Sequence, residues 1–279
     1  MSIAHLVISA CKYNCSYVPT LIKCLNSADI EVTRVSLYYK CGMTTLCSRY
    51  ATNVSTLANL GRNDHTYASH ILNHYDSLPP LVFFLKDTHA KFRWGNVPKA
   101  RRRRRRQRPM IHEYACLSSV SYSVSDVNKS RVFTRRMGQE YRSANAGHES
   151  ATPNVSFHSV RFATAANFLH SLHIHADAER RVPVCLGGYF YASASAIRNQ
   201  PRSFYATVVH LLSRGDNVIE SHFMERAWLQ AFTRPLAPRP DKDSRPAAEA
   251  SEANGGLGRL LHLGDDILHR RRVPGAARN

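Results

Sequence analysis

Segments typical of strands and helices alternate along the first ninety residues, and this alternation constrains the fold more than any other feature. An apolar run at 5–9 is followed by apolar residues at helical spacing within 17–28, and a second β-prone run spans 31–39. A helical pattern over 64–77 then precedes the apolar run at 81–85. Strands that alternate with helices in this way predict an α/β fold, with a mainly parallel sheet and helices on both faces.

A second set of regular segments follows in the C-terminal part of the chain. Apolar residues recur at helical spacing over 162–175, and the stretch GGYFYASASAI predicts a strand followed by a short helix. Pro201 suits the first turn of a longer helix, and the stretch ESHFMERAW predicts the last one. We therefore predict one α/β domain whose N-terminal half spans 1–96 and whose C-terminal half spans 156–234.

Two segments have a different composition. Residues 97–155 contain seven arginines between 101 and 108 and serine-rich stretches without periodicity, which predicts a long, basic, partly disordered insertion. Residues 235–279 are rich in Pro, Ala and charge and predict a flexible, disordered tail. The formal net charge of +18 includes these arginines and indicates weak binding of a polyanion such as nucleic acid. Because the tract lacks interleaved aromatic residues that could stack on bases, a solvated insertion is the preferred interpretation.

Cysteine content and hydropathy bear on the compartment. The seven cysteines are an odd number without a C-x-x-C pair, which favours reduced thiols. No basic segment precedes the short apolar run at the N-terminus, and no stretch approaches the length of a membrane span. We expect a cytoplasmic protein without an integral membrane segment, and the arginine tract leaves a nuclear location as the alternative.

Polar residues at the predicted strand ends indicate a ligand site. In an open parallel sheet, ligands bind beyond the carboxyl ends of the strands, where Lys12 and Lys40 follow the first two strands. Arg62 and His65 lie at the start of the 64–77 helix, where free amides and the helix dipole favour an anion. We predict that Lys12, Lys40, Arg62 and His65 bind ligand phosphate.

The same helix also has a purely structural interpretation. Asn63 or Asp64 would cap its first turn, and Arg62 would be a solvated side chain. Tyr67 and Ile71 follow at helical spacing and are expected to pack against the sheet. The sequence leaves both interpretations open.

Five stretches, in this order and spacing, resemble the successive blocks of the domain-of-unknown-function family numbered 3431: VISACKYNCSYVPTLI, SLYYKCG, NLGRNDHTYASHILNHYDSLPPLVFFLKDTH, CLGGYFYASASAIRNQPRSFYATVVHLL and ESHFMERAW. The resemblance covers about residues 5–96 and 183–233. The family is itself uncharacterised, and its overall pattern resembles the nucleotide-sugar glycosyltransferases of type A. The resemblance therefore implies a type A-like fold and a nucleotide-sugar-dependent glycosyltransferase, with a nucleotide-diphosphate sugar as ligand.

The resemblance also implies roles for individual residues. Gly187 and Gly188 would let the backbone approach a substrate, and Glu225 or Glu220 would be the catalytic base. Asp87 would ligate a divalent cation, Mn²⁺ or Mg²⁺, at a strand end where type A enzymes carry an acidic motif. Acids of the family pattern are replaced in this chain, by Cys15-Ser16 and by Asn63, so an inactive relative is also consistent with the sequence.

Two alternatives belong to other classes. His70 and His74 share a helical face, and with His173 and His175 they suggest a zinc site, although no H-E-x-x-H motif supports it. The second alternative is a non-catalytic module that binds polyanions through the arginine tract. A P-loop, a G-x-G-x-x-G stretch and a nucleophile elbow are absent from the sequence.

Overall fold

The computed structural model describes residues 1–42, 44–88, 113–117, 134–138, 155–158, 161–179, 181–185 and 187–233. Within them the strands are β1 (Ser2–Ala10), β2 (Ile30–Tyr39), β3 (Asn53–Thr56), β4 (Leu81–Lys86), β5 (Tyr114–Cys116), β6 (Thr134–Arg136), β7 (Arg181–Pro183) and β8 (Phe190–Ser193). The α-helices are α1 (Val18–Asn26), α2 (Arg62–His74), α3 (Ala165–Ser171), α4 (Ala194–Ile197), α5 (Arg202–Leu212) and α6 (Ile219–Thr233). Two 3₁₀ helices span Leu46–Tyr50 and Tyr75–Ser77.

Six strands form the main sheet in the order β3-β2-β1-β4-β8-β5. The first four are mutually parallel, whereas β8 runs antiparallel to both β4 and β5. β6 and β7 form a separate antiparallel pair. The predicted α/β class and mainly parallel sheet are confirmed.

The sheet carries one hydrophobic core on each face, because successive side chains of a strand point to opposite sides. On β4, Val82 and Phe84 pack with α2, α3, α5 and α6, whereas Leu81, Phe83 and Leu85 pack on the face that α1 covers. The central parallel strands are therefore buried on both sides, as their continuous apolar runs require.

Four strands of the described residues were absent from the sequence predictions: β3 and β5 of the main sheet, and the pair β6 and β7. All four residues of β3 are exposed, so they have no apolar pattern that could reveal a strand. β5 lies inside the segment 97–155 and forms the edge of the main sheet, with Tyr114 opposite Ala192 of β8. The arginine tract and the predicted tail, 235–279, lie outside the described residues.

The prediction of reduced thiols is wrong, because six of the seven cysteines form disulfide bonds. The pairs are Cys11–Cys41, Cys15–Cys47 and Cys116–Cys185, and Cys24 is free. Cys11 and Cys41 follow the adjacent ends of β1 and β2, where Ala10 is paired with Tyr39. The partners become neighbours only through strand pairing, which cysteine spacing alone does not indicate.

Among the described residues, no helix combines the length and apolar character needed to cross a membrane.

Candidate functional site

Helix α2 begins at Arg62, after a glycine that the packing requires. Gly61 has a left-handed backbone (φ 54°), and a Cβ atom there would lie 2.6 Å from the carbonyl oxygen of Leu212. The amides of Gly61 and Arg62 donate to the carbonyls of Gly215 and Asp216 at 2.7 and 3.2 Å. The prediction that Asn63 or Asp64 caps this helix is wrong, because the loop between α5 and α6 covers its start and no side chain caps it.

The first part of α2 is buried on all sides although many of its residues are polar. Residues 63–71 are all buried, and six of them are polar: Asn63, Asp64, His65, Thr66, Ser69 and His70. The helix has contacts with the sheet as well as with α5 and α6, which explains this burial. Tyr67 and Ile71 lie in the core, as predicted. Buried polar groups need partners, and the partners of these residues define the candidate site.

Asp64 is a buried carboxyl group held by a tryptophan of α6. The Trp228 indole Nε1 donates to Asp64 Oδ1 at 2.7 Å, and Asp64 is 1% exposed. Burial and, after it, the nearby Glu225 carboxylate raise the pKa of Asp64 to about 7. Burial and the neighbouring carboxylate therefore favour the protonated form of Asp64.

Glu225, one of the two predicted bases, lies half-buried on the same side of α6. Its Oε1 accepts a hydrogen bond from the Gly187 amide at 2.7 Å. Gly187 and Gly188 both have left-handed backbones (φ 80° and 72°), and a Cβ atom on Gly188 would lie 2.4 Å from Asn63 Nδ2. The glycine pair thus lets this turn approach α2 and α6 closely.

Arg62 contacts a neutral histidine instead of a carboxylate. Its Nη1 lies 2.6 Å from His222 Nδ1, while His222 Nε2 lies 3.1 Å from Asn217 Oδ1. Arg62 Nη1 also lies 2.9 Å from His222 Nε2, so the guanidinium group donates to a ring nitrogen of the imidazole. Burial is the main cause that lowers the pKa of His222 to about 2, and the positive charges of Arg62 and Arg226 add to it. The ring is therefore uncharged.

We call Arg62, Asp64, Lys86, His222 and Glu225 the strand-end cluster. Lys86 is the last residue of β4, and its charge lowers both the pKa of Asp64 and that of His222. Its ammonium group lies 5.9 Å from the centre of the Tyr189 ring. The cluster combines fixed positive charge with two neighbouring carboxyl groups, an arrangement suited to acid-base chemistry beside an anionic ligand.

Two of the other predicted phosphate ligands, Lys40 and His65, have structural partners. The Lys40 ammonium group is buried and donates to the carbonyls of Leu60 and Arg62, and burial lowers the pKa of Lys40 to about 7. His65 Nε2 lies 3.2 Å from Ser213 Oγ, and burial lowers the pKa of His65 to about 4. Lys12 has an exposed side chain in the loop after β1. Among the four predicted residues, Arg62 alone belongs to the strand-end cluster.

Asp87, the predicted metal ligand, organises the loop after β1. Its Oδ2 accepts hydrogen bonds from the amides of Cys11, Lys12 and Tyr13 at 2.7, 2.7 and 2.9 Å. Among the described residues, no hydrogen bond engages Asp87 Oδ1, so this is the oxygen that a cation could contact. Within the same part of the chain, no group of three or more His, Cys, Asp or Glu side chains is arranged to hold a metal ion. These residues are thus a poor fit to a resident metal, and the Mn²⁺ or Mg²⁺ site stays a prediction.

Glu220, the other predicted base, is 3% exposed and forms a two-point ion pair with Arg214. Its oxygens lie 3.2 and 2.8 Å from Arg214 Nε and Nη2. An engaged, buried carboxylate of this kind is a weaker base candidate than Glu225. The imidazole rings of His70 and His74 lie 4.6 Å apart, and His70 Nδ1 is hydrogen-bonded to Tyr38.

Sequence reasoning missed Asp64 and His222 as members of the site. The spacing of His222 and Glu225, three residues apart on one helix, places both on the same face and was an available signal. The bond between Trp228 and Asp64 joins residues 164 positions apart, and no local pattern indicates it.

Comparison with family models gives one finding that covers most of the chain. The model described as "Protein of unknown function (DUF3431)" matches residues 36–245. Neither the curated proteins nor the solved structures include a significant match.

Proposed function

The chain belongs to the DUF3431 family, and we propose that it binds a nucleotide-diphosphate sugar at the strand-end cluster and transfers the sugar to an acceptor hydroxyl. The strand order supports this placement, because the chain proceeds outwards from β1 to β3 and then returns to add β4 on the other side of β1. Ligands of open α/β sheets bind beside the carboxyl ends of the strands at such a reversal. A type A glycosyltransferase fold is part of the same proposal.

The observation that carries the proposal is that most donors of the Arg62 guanidinium group are not engaged by the described residues. No carboxylate of the described residues lies within 4.0 Å of its guanidinium group, and only Nη1 is engaged, by the uncharged His222. The remaining donors suit the two-point recognition of phosphate. Arg62 also has a left-handed backbone (φ 53°), a conformation that costs a non-glycine residue about 1–3 kcal/mol and concentrates at functional sites.

Glu225 is suited to accept the proton of the acceptor. The Gly187 amide fixes one carboxylate oxygen, and the second has no hydrogen bond within the described part of the chain. In the proposed step, the acceptor oxygen bonds to the anomeric carbon as its proton passes to Glu225. The bond from that carbon to the diphosphate breaks, and Arg62 and Lys86 stabilise the charge of the leaving diphosphate. The raised pKa of Asp64 favours its protonated form, which limits its repulsion of the Glu225 carboxylate.

Replacing Arg62 should weaken binding of a nucleotide diphosphate. A charge-assisted hydrogen bond is worth about 1.5–3 kcal/mol, so Arg62→Ala should raise the Kd for UDP or GDP about ten- to a hundredfold. Isothermal titration with each nucleotide, with and without manganese, measures this. The matched control is Arg198→Ala, because Arg198 is exposed and, among the described residues, its side chain donates to the Tyr75 carbonyl. An unchanged Kd for Arg62→Ala would make the arginine structural.

Glu225→Gln separates chemistry from binding in the same experiment. Because Gln keeps the acceptor for Gly187 but accepts no proton at neutral pH, nucleotide affinity should be retained while sugar transfer or donor hydrolysis is lost. Nucleotide binding by the unaltered chain without any turnover would identify it as an inactive relative. Absence of binding by the unaltered chain would refute both forms of the proposal.

Asp64 should make stability depend on pH in a specific direction. Its folded pKa, about 7, lies above its ordinary value of 3.8, so the native state binds more protons between these values. The contribution of Asp64 to stability is therefore lost as pH rises through this window, by at most about 1.4 kcal/mol per pH unit. Asn keeps an acceptor for Trp228 without this titration. Urea unfolding at pH 5 and pH 8 measures the free energy of unfolding of the unaltered chain and of Asp64→Asn. From pH 5 to pH 8 the unaltered chain should lose stability relative to the variant. A stability difference that does not change with pH would contradict the raised pKa of Asp64.

A further inference from the structure

Four asparagines of this chain begin the triplet Asn-x-Ser, an acceptor sequence for N-linked glycosylation: Asn14, Asn53, Asn128 and Asn154. Such triplets also occur by chance, so the surroundings of each asparagine decide whether it suits a glycan. Asn14 and Asn53 lie among the described residues, and both are exposed. The triplet at Asn14 is the less suitable of the two, because its central residue, Cys15, is buried and disulfide-bonded to Cys47.

Asn53 is the first residue of β3, which forms one edge of the main sheet. All four residues of β3 are exposed, so the triplet Asn53-Val54-Ser55 lies entirely on the surface. A bulky group on Asn53 would therefore displace no core residue. An edge strand also presents unpaired backbone groups on which another chain can pair, and a large hydrophilic group beside the strand obstructs such pairing.

The side-chain amide of Asn53 has contacts that glycosylation leaves available. With its oxygen assigned towards Arg34, Oδ1 accepts from Nη2 and Nε of that residue at 2.5 and 2.8 Å. In the same orientation, Nδ2 donates to the Thr52 carbonyl at 2.8 Å. Glycosylation replaces one of the two hydrogens on Nδ2 and retains the oxygen and the other N–H. The contact with Arg34 thus orients the amide without involving the nitrogen that would carry the sugar.

The three disulfide bonds support the same modification by a separate route. Structural disulfides form in oxidising environments, which include the lumen of the endoplasmic reticulum. N-linked glycans are typical of surface positions in secreted proteins, which pass through that lumen. The paired cysteines and the exposed triplet are independent features of this chain, and both favour the secretory route.

We propose that Asn53 carries an N-linked glycan. In the transfer, Nδ2 of Asn53 bonds to the anomeric carbon of the first sugar of a lipid-linked diphosphate donor. The bond from that carbon to the diphosphate breaks, the diphosphate leaves with its lipid, and one proton of Nδ2 passes to a base of the transferring enzyme. The Ser55 hydroxyl completes the triplet that this enzyme recognises. The modification does not depend on the proposed nucleotide site.

Peptide mapping of the full chain, purified from the cells that naturally produce it, tests the proposal. Trypsin cuts after Arg49 and Arg62, so the peptide 50–62 contains Asn53 and no other triplet. Peptide N-glycosidase in heavy-oxygen water converts a glycosylated asparagine into an aspartate that carries the heavy isotope. We expect this label at Asn53 after the enzyme treatment and its absence when the enzyme is omitted.

Two substitutions at one exposed position provide matched variants. Ser55→Ala removes the required hydroxyl and leaves Asn53 in place, whereas Ser55→Thr keeps an acceptor triplet. The label should disappear in Ser55→Ala and persist in Ser55→Thr. An unlabelled Asn53 in the unaltered chain, or a label that does not follow the hydroxyl group at position 55, would overturn the proposal. If a variant fails to accumulate, the peptide 50–62 of the unaltered chain still decides.

Discussion

Reduction of the three disulfide bonds should abolish the cooperative unfolding transition of this chain at 25 °C. The bonds close loops with sequence separations of 30, 32 and 69 residues. The chain-entropy model assigns about 3 kcal/mol to a loop of about 15 residues and about 4.7 kcal/mol to one of about 100 residues. The loops of Cys11–Cys41 and Cys15–Cys47 overlap, so their contributions do not add fully. The combined loss still approaches the total stability of a typical domain, about 5–15 kcal/mol.

Urea unfolding with and without a phosphine reductant measures this loss, and thiol titration of the denatured chain gives the oxidation state. The oxidised chain should show one free thiol, Cys24, so Cys24→Ser should leave unfolding unchanged and remove the thiol signal. A cooperative transition that is identical in both redox states would contradict the prediction.

The disulfides also bear on the compartment. Structural disulfides form and persist in oxidising environments and are rare in the reducing cytosol. No observation tests the expected cytoplasmic location, and we propose an oxidising compartment instead. The pairs Cys11–Cys41 and Cys15–Cys47 constrain the loop that donates three amides to Asp87, so the same oxidation supports the edge of the sheet where the nucleotide is proposed to bind.

The parts of the fold that follow local rules were predictable from the sequence. β1 and β4 contain continuous apolar runs, because parallel strands buried on both faces need them, and β2 was found from its β-prone residues. Pro201 directly precedes α5, as the sequence indicated. β5 was missed because it has three residues and its pairing with β8 joins positions far apart in the chain.

The candidate site was less predictable, because its groups meet through packing between distant elements. Arg62 and Glu225 were found from helix position and from the family resemblance. Lys40 was expected to contact phosphate, but its ammonium group binds the carbonyls of Leu60 and Arg62, a backbone arrangement that residue type does not reveal. Asp64 was interpreted as a cap because acids are common in a first helical turn, yet tertiary packing directs it to Trp228.

Tyr67 links the buried face of α2 to the turn at Gly187 and Gly188. Its replacement is the second change for which we expect a large loss of stability. Its side chain is fully buried, and its ring centre lies 5.1 Å from that of Phe84 and 5.7 Å from that of Phe190. The hydroxyl group donates to the Gly188 carbonyl at 3.0 Å. Tyr67 thus lies between the sheet and the turn whose amide holds Glu225.

Tyr67→Ala should lower the free energy of unfolding by about 3–5 kcal/mol, because removing a buried ring leaves a cavity that the surrounding sheet and helices fill only in part. Tyr67→Phe keeps the ring and loses one hydrogen bond, so it should cost only about 0.5–1.5 kcal/mol plus the cost of leaving the Gly188 carbonyl unpaired. Urea unfolding of both variants measures the difference. Arg62→Ala serves as the comparison, since a partly buried arginine whose proposed role is ligand binding should cost far less than Tyr67→Ala. Equal losses for Tyr67→Ala and Arg62→Ala would show that the arginine supports the fold, which would remove the main argument for phosphate binding at the start of α2.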